Sequence, residues 1–195
     1  GASARFYYPS GVAVDGANNV YVADTSNNSI RKVTPEGVVS TLAGVAEFDG
    51  PNPVGGSTDG VGSTARFNAP WGLAADHEGN LYVADTANHT IRKVTGTGVV
   101  TTLAGLAGNP GNTDGAGTTA RFLNPIGVAL DGEGYLYVAD RDNHAIRKVT
   151  PAGVVTTLAG LAGSPGSADG TGSEAQFSSP SGVAADSAGH LYIYF

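Results

Sequence analysis

The chain consists of one unit that repeats. A segment of the form Pro-x-Gly-Val-Ala or Pro-x-Gly-Leu-Ala occurs four times, and its copies start 61, 55 and 55 residues apart. The copies are residues 9–13, 70–74, 125–129 and 180–184. Self-similarity at such a period is typical of proteins that build a core by stacking one small supersecondary unit on the next. We therefore expect the chain to fold as an array of similar units.

Three further segments follow the Pro-x-Gly segment in a complete repeat. They are rich in Val, Ile, Tyr, Thr and Leu and are bounded by Gly, Pro, Asn or Asp, which is the pattern of β-strands. The second segments are Val20–Asp24, Leu81–Asp85, Leu136–Asp140 and 191–195, the third are 30–34, 91–95 and 146–150, and the fourth are 38–44, Val99–Gly105 and 154–160. Short connections between the first three segments predict antiparallel pairing. No long helical period occurs, and at most one helical turn is expected near 63–67, 118–122 and 174–177.

Four short antiparallel strands in each repeat predict one blade of a β-propeller. We therefore predict an all-β fold, a β-propeller of four-stranded antiparallel blades, with three full blades and a half blade. The expected single domain covers residues 1–195. Its parts are the end of an inter-blade loop at 1–6, repeats at 7–67, 68–122 and 123–177, and a partial fourth repeat at 178–195. Long Gly-rich connections between the repeats are the expected place for specific binding.

The repeated pattern resembles the NHL-repeat family. The pattern is Pro-x-Gly-Val-Ala-x-Asp, followed by Leu-Tyr-Val-Ala-Asp-x-x-Asn-x-x-Ile-Arg-Lys-Val. The residues that match it most closely are Asp85, Asn88, His89, Ile91, Arg92, Lys93 and Val94, and Asp140, Asn143, His144, Ile146, Arg147, Lys148 and Val149. The resemblance implies a propeller. It leaves the function open, because the family includes interaction modules, extracellular sensor domains and a few lyases.

Charge and composition exclude several partners. The formal net charge is −7, and nine of the ten basic residues recur at equivalent positions of the repeats. An acidic chain repels nucleic acid and anionic membranes, so neither is an expected partner. Neither a signal peptide nor an apolar run of about 18 residues is present, so we predict no membrane insertion. There are no cysteines, which excludes disulfides and Cys-ligated metal.

The fourth repeat stops after its second predicted strand. Its last residues, Leu191, Tyr192, Ile193, Tyr194 and Phe195, would form an apolar strand with an unpaired edge, and such an edge is a template for another strand. Two explanations stay open. The sequence is a piece of a longer chain, or copies of the chain associate in a ring or a filament through this half blade.

An aspartate at the end of each second strand and an arginine in each third strand suggest a structural bridge. The pairs are Asp24 with Arg31, Asp85 with Arg92, and Asp140 with Arg147. In a hairpin these side chains can meet across the strands. The alternative interpretation, a ring of carboxylates that binds a metal, is the weaker one because each acid has a basic partner at the same spacing.

The long connections contain Asp-Gly turns at Asp59, Asp114 and Asp169. One carboxylate in each loop is little for calcium, which takes six to eight oxygen ligands, so these residues are weak calcium candidates and no other cofactor is expected. The following Gly-x-Gly-x-x-Ala stretches lack the strand and helix that a dinucleotide site needs. The four histidines show no ligand spacing, and no nucleophile motif is present.

Two N-glycosylation sequons lie at equivalent positions, at Asn27 and Asn88. The asparagine is also the residue expected in the turn between the second and third strands, because it tolerates a left-handed backbone.

These observations favour a non-enzymatic interaction or assembly module, with other protein chains, especially copies of itself, as partners. An active site normally breaks the symmetry of repeats, and here the departures are few. An extracellular or cell-surface location is expected. The alternatives are a metal-dependent lyase or hydrolase on the propeller scaffold and a ligand-sensing domain of a larger receptor.

Overall fold

The strands form where β-branched and aromatic residues alternate between Gly-, Asn- and Asp-containing turns. The computed structural model describes residues 3–46, 48–49, 52–186 and 188–195. The chain divides into two compact units, residues 1–88 with 92–101 and residues 89–91 with 102–195. The division runs through the third and fourth strands of the second repeat. The single domain expected from the sequence therefore stays a prediction.

The first unit contains the first repeat, a linker hairpin and most of the second repeat. The first sheet has the order β1-β2-β3-β4, and the second sheet has the order β7-β11-β10-β9-β8. The strands are β1 (Pro9–Val14), β2 (Val20–Asp24), β3 (Ser29–Val33), β4 (Val39–Gly44), β5 (Phe48–Asp49), β6 (Asn52–Pro53), β7 (Gly60–Val61), β8 (Pro70–Ala75), β9 (Leu81–Asp85), β10 (Thr90–Val94) and β11 (Val99–Gly105).

The second unit contains the third repeat and the partial fourth repeat. Its larger sheet has the order β12-β16-β15-β14-β13, and β17 and β18 form a two-stranded sheet. The strands are β12 (Gly115–Ala116), β13 (Pro125–Leu130), β14 (Leu136–Asp140), β15 (Ala145–Val149), β16 (Val154–Ala159), β17 (Gly182–Ala185) and β18 (Leu191–Tyr194). The predicted all-β fold with antiparallel, blade-like sheets is confirmed.

Two-residue strands were missing from the sequence prediction. β7 pairs with the outer strand β11, and β12 pairs with the outer strand β16. Both short strands belong to the long connection that precedes the sheet they join. Each connection therefore covers the outer edge of the following sheet before the chain enters its first strand. A covered edge is protected from pairing with other chains.

Short 3₁₀ turns mark two places in the repeat. One set, near the helical turns expected from the sequence, is Gly62–Thr64, Gly117–Thr119 and Gly172–Glu174. The other set, which was not predicted, lies between the second and third strands at Thr25–Asn27, Thr86–Asn88 and Arg141–Asn143. No helix among the described residues is both long and apolar enough to cross a bilayer.

The apolar side chains of neighbouring repeats share one core. In the first unit, Tyr21 and Ala23 of β2 pack with Leu73 of β8 and with Leu81 and Val83 of β9. In the second unit, Ala139 and Ile146 pack with Phe177, and the partly buried Ile193 of β18 joins them. First and second strands therefore contribute to these cores, together with side chains of the third strands and of the connections.

The glycine of the Pro-x-Gly segment allows this stacking. A Cβ on Gly127 would lie 2.8 Å from the carbonyl oxygen of Ser181 and 3.1 Å from the backbone nitrogen of Val183. A Cβ on Gly11 would likewise collide with the carbonyl oxygen of Trp71. First strands of successive repeats thus approach so closely that no side chain fits at this position.

We predict that Gly127→Ala lowers the free energy of unfolding by about 1–3 kcal/mol, because the new methyl group overpacks a backbone contact. The matched control is Gly132→Ala, since a Cβ there meets nothing within 4 Å. Its effect should stay within about 0.5 kcal/mol. Urea unfolding monitored by circular dichroism measures both variants, and equal effects would contradict the close-packing explanation.

Candidate functional site

Each complete repeat contains a buried ion pair between its second and third strands. Arg92 Nη1 lies 2.8 Å from Asp85 Oδ2, and both side chains are fully buried. The equivalent distances are 3.0 Å for Arg31–Asp24 and 2.7 Å for Arg147–Asp140. In the first repeat Arg31 faces Val22 across the ladder, so the pair is diagonal. The structure thus brings together the bridge residues named from the sequence.

The buried carboxylate also receives hydrogen bonds from two neutral donors. The backbone N–H of Asn68 donates to Asp85 Oδ1 at 2.8 Å, and Nδ2 of Asn88 donates to Oδ2 at 2.7 Å. Burial raises the pKa of Asp85 to about 6, while the Arg92 charge and these donors oppose the rise. A carboxylate with this many donors is held as a structural anchor of the turn.

A second aspartate reaches the same arginine from the preceding connection. Arg92 Nη2 lies 2.7 Å from Asp59 Oδ1, and Arg147 Nη2 lies 2.6 Å from Asp114 Oδ1. Burial raises the pKa of Asp114, but hydrogen bonds from Thr157 and Arg147 outweigh it and lower the pKa. Two of the three calcium candidates are therefore partners of a guanidinium, and the third, Asp169, is exposed. Among the described residues, no His, Asp and Glu side chains form a group of three suited to a metal ion.

An aromatic ring stacks on the guanidinium of each pair. The Arg92 carbon Cζ lies 5.3 Å from the ring centre of Phe67, and Arg147 lies at the same distance from Phe122. The Arg31–Phe6 distance is 5.2 Å. The ring faces help to compensate for the lost hydration of a buried cation. Sequence reasoning missed this role, although the Arg-Phe dipeptide recurs just before every Pro-x-Gly segment of the complete repeats.

The turn between the first and second strands begins with the aspartate of the Pro-x-Gly-Val-Ala-x-Asp pattern, whose role sequence reasoning missed. Asp131 Oδ1 accepts the backbone N–H groups of Glu133 and Tyr135, and its Oδ2 accepts the Tyr137 hydroxyl at 3.1 Å. Asp131, Tyr137, Lys148 and Asp186 help to line a polar cavity of about 270 Å³. Nζ of Lys148 lies 3.9 Å from the ring centre of Tyr135.

The two sequon asparagines are hydrogen bonded to the buried acids. Asn27 Nδ2 donates to Asp24 at 2.9 Å. Asn88 is buried, and its Nδ2 donates to the Gly56 carbonyl and to Asp85, both at 2.7 Å. A glycan on Asn88 would have to replace one of these two hydrogen bonds. Glycosylation stays a prediction that the folded geometry of Asn88 opposes.

The predicted assembly strand presents an exposed aromatic face. Tyr192 and Tyr194 are exposed, whereas Leu191 and Ile193 are partly buried. The Tyr192 hydroxyl donates to Asp186 Oδ2 at 3.3 Å. The Phe195 ring packs edge-on against Phe177 with ring centres 5.3 Å apart. Side chains of β17 and β18 line an open groove of about 350 Å³.

The repeated geometry matches a known family. The model of the NHL repeat matches residues 6–33, 67–94 and 122–149. This is an NHL repeat-containing protein. Each match runs from the aromatic residue beside the buried arginine, through the acid, to the end of the third strand. The family pattern therefore coincides with the ion-pair unit described above.

Curated relatives share part of the chain. NHL repeat-containing protein 2 of Homo sapiens is 38% identical over 152 residues, which are 74% of this chain and 21% of that protein. Protein SUPPRESSOR OF QUENCHING 1, chloroplastic, of Arabidopsis thaliana is 34% identical over 148 residues, which are 74% of this chain and 14% of that protein. The chain thus corresponds to about a fifth or less of these relatives.

Solved structures share the fold. A protein of unknown function from Bacteroides thetaiotaomicron has 25% identity and a TM-score of 0.76, with 95% of this chain and 44% of that chain covered. An auxiliary nutrient binding protein from Bacteroides ovatus has 26% identity and a TM-score of 0.70, with 95% and 45% covered. A streptogramin B lyase has 15% identity and a TM-score of 0.57, with 95% and 61% covered, a likeness of fold alone.

We predict that the two acids on Arg92 contribute very differently to stability. Asp85→Ala leaves a buried guanidinium without its buried partner and should lower the free energy of unfolding by about 3–5 kcal/mol. The Asp59 side chain is 49% exposed, so solvent screens its pair and Asp59→Ala should cost about 1 kcal/mol or less. Urea unfolding of both variants is the measurement. A cost for Asp59→Ala equal to that for Asp85→Ala would contradict the assignment of the bridge.

Proposed function

We propose that this NHL-repeat protein is a non-enzymatic interaction module that binds other protein chains, especially copies of itself. The ion-pair units support this proposal because the same acids and arginines serve the same structural contacts in successive repeats. Catalysis needs one set of groups in one place, whereas these groups recur in each repeat.

An extracellular or cell-surface location belongs to the same proposal, and fractionation of the source cells with an antibody to the chain would test it.

The observation that carries the proposal is the exposure of Tyr192. Its repeat-equivalent residues Tyr21 and Tyr137 are 1% and 8% exposed, whereas Tyr192 is 62% exposed. All three stand at the second position of the second strand. In the first unit, β8 of the next repeat packs against β1 and β2. In the second unit, β17 packs against β13 and β14. The face of β17 and β18 therefore corresponds to faces that a first strand covers within the chain, which supports the proposal.

The first strand of another copy has the matching side chains. Leu73 of β8 lies in one core with Tyr21 of the preceding repeat and is 6% exposed. Its equivalent in β1 is Val12, which is 61% exposed. Val12 and Tyr192 therefore correspond to a pair of positions that bury each other within the chain. A copy that places its Val12 on Tyr192 of another copy would repeat an arrangement that the fold already uses.

The backbone of β17 also leaves room for the first strand of another copy. Gly182 of β17 is equivalent to Gly11 and Gly127, whose missing side chains admit the first strand of the next repeat. A Cβ on Gly182 would meet only its own hairpin, at Tyr194 Cβ 3.3 Å away. Contact between different faces of two copies is heterologous, so the product is a closed ring or an open filament.

We predict that the isolated chain sediments above its monomer mass of 19.4 kDa and that its mass rises with concentration. Val12→Asp and Tyr192→Asp should each give monomers, because a charge placed in an apolar interface is strongly unfavourable. The matched control is Val61→Asp, since Val61 is a strand valine with 57% exposure outside both faces. Analytical ultracentrifugation measures the mass, and circular dichroism verifies that each variant is folded.

Mixing the two charged variants sharpens this test. The Val12→Asp chain retains an intact Tyr192 face, and the Tyr192→Asp chain retains an intact Val12 face. Their mixture should therefore form a dimer that grows no further. A monomeric parent chain, or a mixture that stays monomeric, would overturn self-association through these faces. A parent chain that associates while both variants remain associated would place the interface elsewhere and also overturn it.

A further inference from the structure

One position in the turn between the second and third strands joins each repeat to the next. In the first repeat, Oδ1 of Asn28 accepts the backbone N–H of Ala69 at 2.8 Å. In the second repeat, Nδ1 of His89 accepts the backbone N–H of Asn124 at 3.1 Å. In the third, Nδ1 of His144 accepts the backbone N–H of Ser179 at 3.0 Å. The donor is always the residue just before the next Pro-x-Gly segment.

The backbone conformation orients the acceptor side chain in the same way in all three repeats. Asn28, His89 and His144 all adopt left-handed conformations, with φ of 48°, 59° and 55°. This conformation ends the 3₁₀ turn and points the side chain toward the next repeat. Asparagine and histidine tolerate it better than most residues and both offer an acceptor at the right reach. The two residue types are therefore interchangeable as acceptors, but only one of them titrates.

Protonation removes the acceptor of histidine. A neutral imidazole can accept at Nδ1 while Nε2 carries the hydrogen, whereas the imidazolium has donors at both nitrogens. A protonated His89 would thus set an N–H against the N–H of Asn124. The amide of Asn28 has no such transition. The contact after the first repeat should be insensitive to acid, and the contacts after the second and third repeats should be sensitive.

The surroundings of the two histidines leave them accessible to protons. Both side chains are only partly buried. The charged groups near the two turns include Asp142 and Arg141, which pair at 2.7 Å. The buried acids Asp85 and Asp140 begin the two turns and accept hydrogen bonds from Asn88 and Asn143, and burial raises the pKa of each to about 6. Nδ2 of Asn124 also donates to Asp142 at 2.6 Å. Burial lowers the pKa of His89, and the Asp142 charge opposes this without reversing it.

We infer that His89 and His144 form an acid-sensitive latch between successive repeats, which holds when the imidazoles are neutral and opens when they are protonated. The direction of the pH dependence follows from the role of the imidazole as a hydrogen-bond acceptor. The unfolded chain binds protons at an ordinary histidine pKa of about 6.5, and the folded chain must give up a hydrogen bond to do so. For His89, whose pKa is lowered in the folded chain, stability from the latch is therefore fully present above that pH and is lost as pH falls below it. This inference is independent of the proposed self-association.

Amide signals in NMR spectra test the latch residue by residue, with the Tyr192→Asp chain used if the parent associates. Between pH 7.5 and 5, the amides of Asn124 and Ser179 should shift with a histidine titration and lose protection from hydrogen exchange. For the Asn124 amide, after correction for intrinsic rates, the loss should approach about tenfold per pH unit between the ordinary histidine pKa and the lowered pKa of folded His89. The amide of Ala69, bonded to Asn28, should show neither effect.

Variants separate the latch from a general effect of acid. His89→Asn should abolish the titration of the Asn124 amide and leave that of Ser179, and His144→Asn should do the reverse. His77→Asn, at an exposed turn position, is the control and should change neither. If all three amides respond alike, or if the Asn124 amide still titrates in His89→Asn, the latch is refuted. Because asparagine occupies this position naturally in the first repeat, these variants are expected to fold.

Discussion

The buried contact between aspartate and arginine organises every complete repeat. A guanidinium has donors in a fixed planar arrangement, so its hydrogen-bond partners must lie at defined positions around it. Around Arg92 these partners are Asp85 from the second strand, Asp59 from the preceding connection and the ring of Phe67. Segments 7 to 33 residues away in sequence are thus held at one point. Desolvation makes such a centre costly unless its partners are in place, which favours one arrangement of the connection over the many that its glycines allow.

Strand positions could be read from the sequence because local chemistry determines them. Second strands such as Leu81–Asp85 were predicted at their observed bounds, since five residues of high β-propensity end at an acid that begins a turn. The short strands β7 and β12 could not be predicted in this way. Gly-Val and Gly-Ala have no strand signal of their own, and they pair only because the connection passes along an outer strand that is already formed.

The contacts of the buried arginine likewise include some that the local sequence predicts and others that it does not. Asp85 and Arg92 are seven residues apart on neighbouring strands, so their contact follows from hairpin geometry. Asp59 lies 33 residues before Arg92 and resembles any Asp-Gly turn residue in sequence. Tyr192 is another such case, because it stands at the same position of the second strand as Tyr21 and Tyr137. Its exposure depends on what packs against the face, which no window of sequence around the residue contains.

Strands β7 and β12 lie before the Pro-x-Gly segment in sequence but belong to the sheet that follows it. The boundaries of the folded blade therefore differ from those of the sequence repeat. The Pro-x-Gly period suggests that one repeat can be cut from the next just before the first strand, near residue 67 or 122. A cut there would remove the outer edge strand and the second acid on the arginine from the sheet that needs them. A blade that keeps both of them instead begins before Asp59 or Asp114, within the glycine-rich connection. Duplication, deletion or grafting of a blade would therefore preserve its contacts only in that shifted frame.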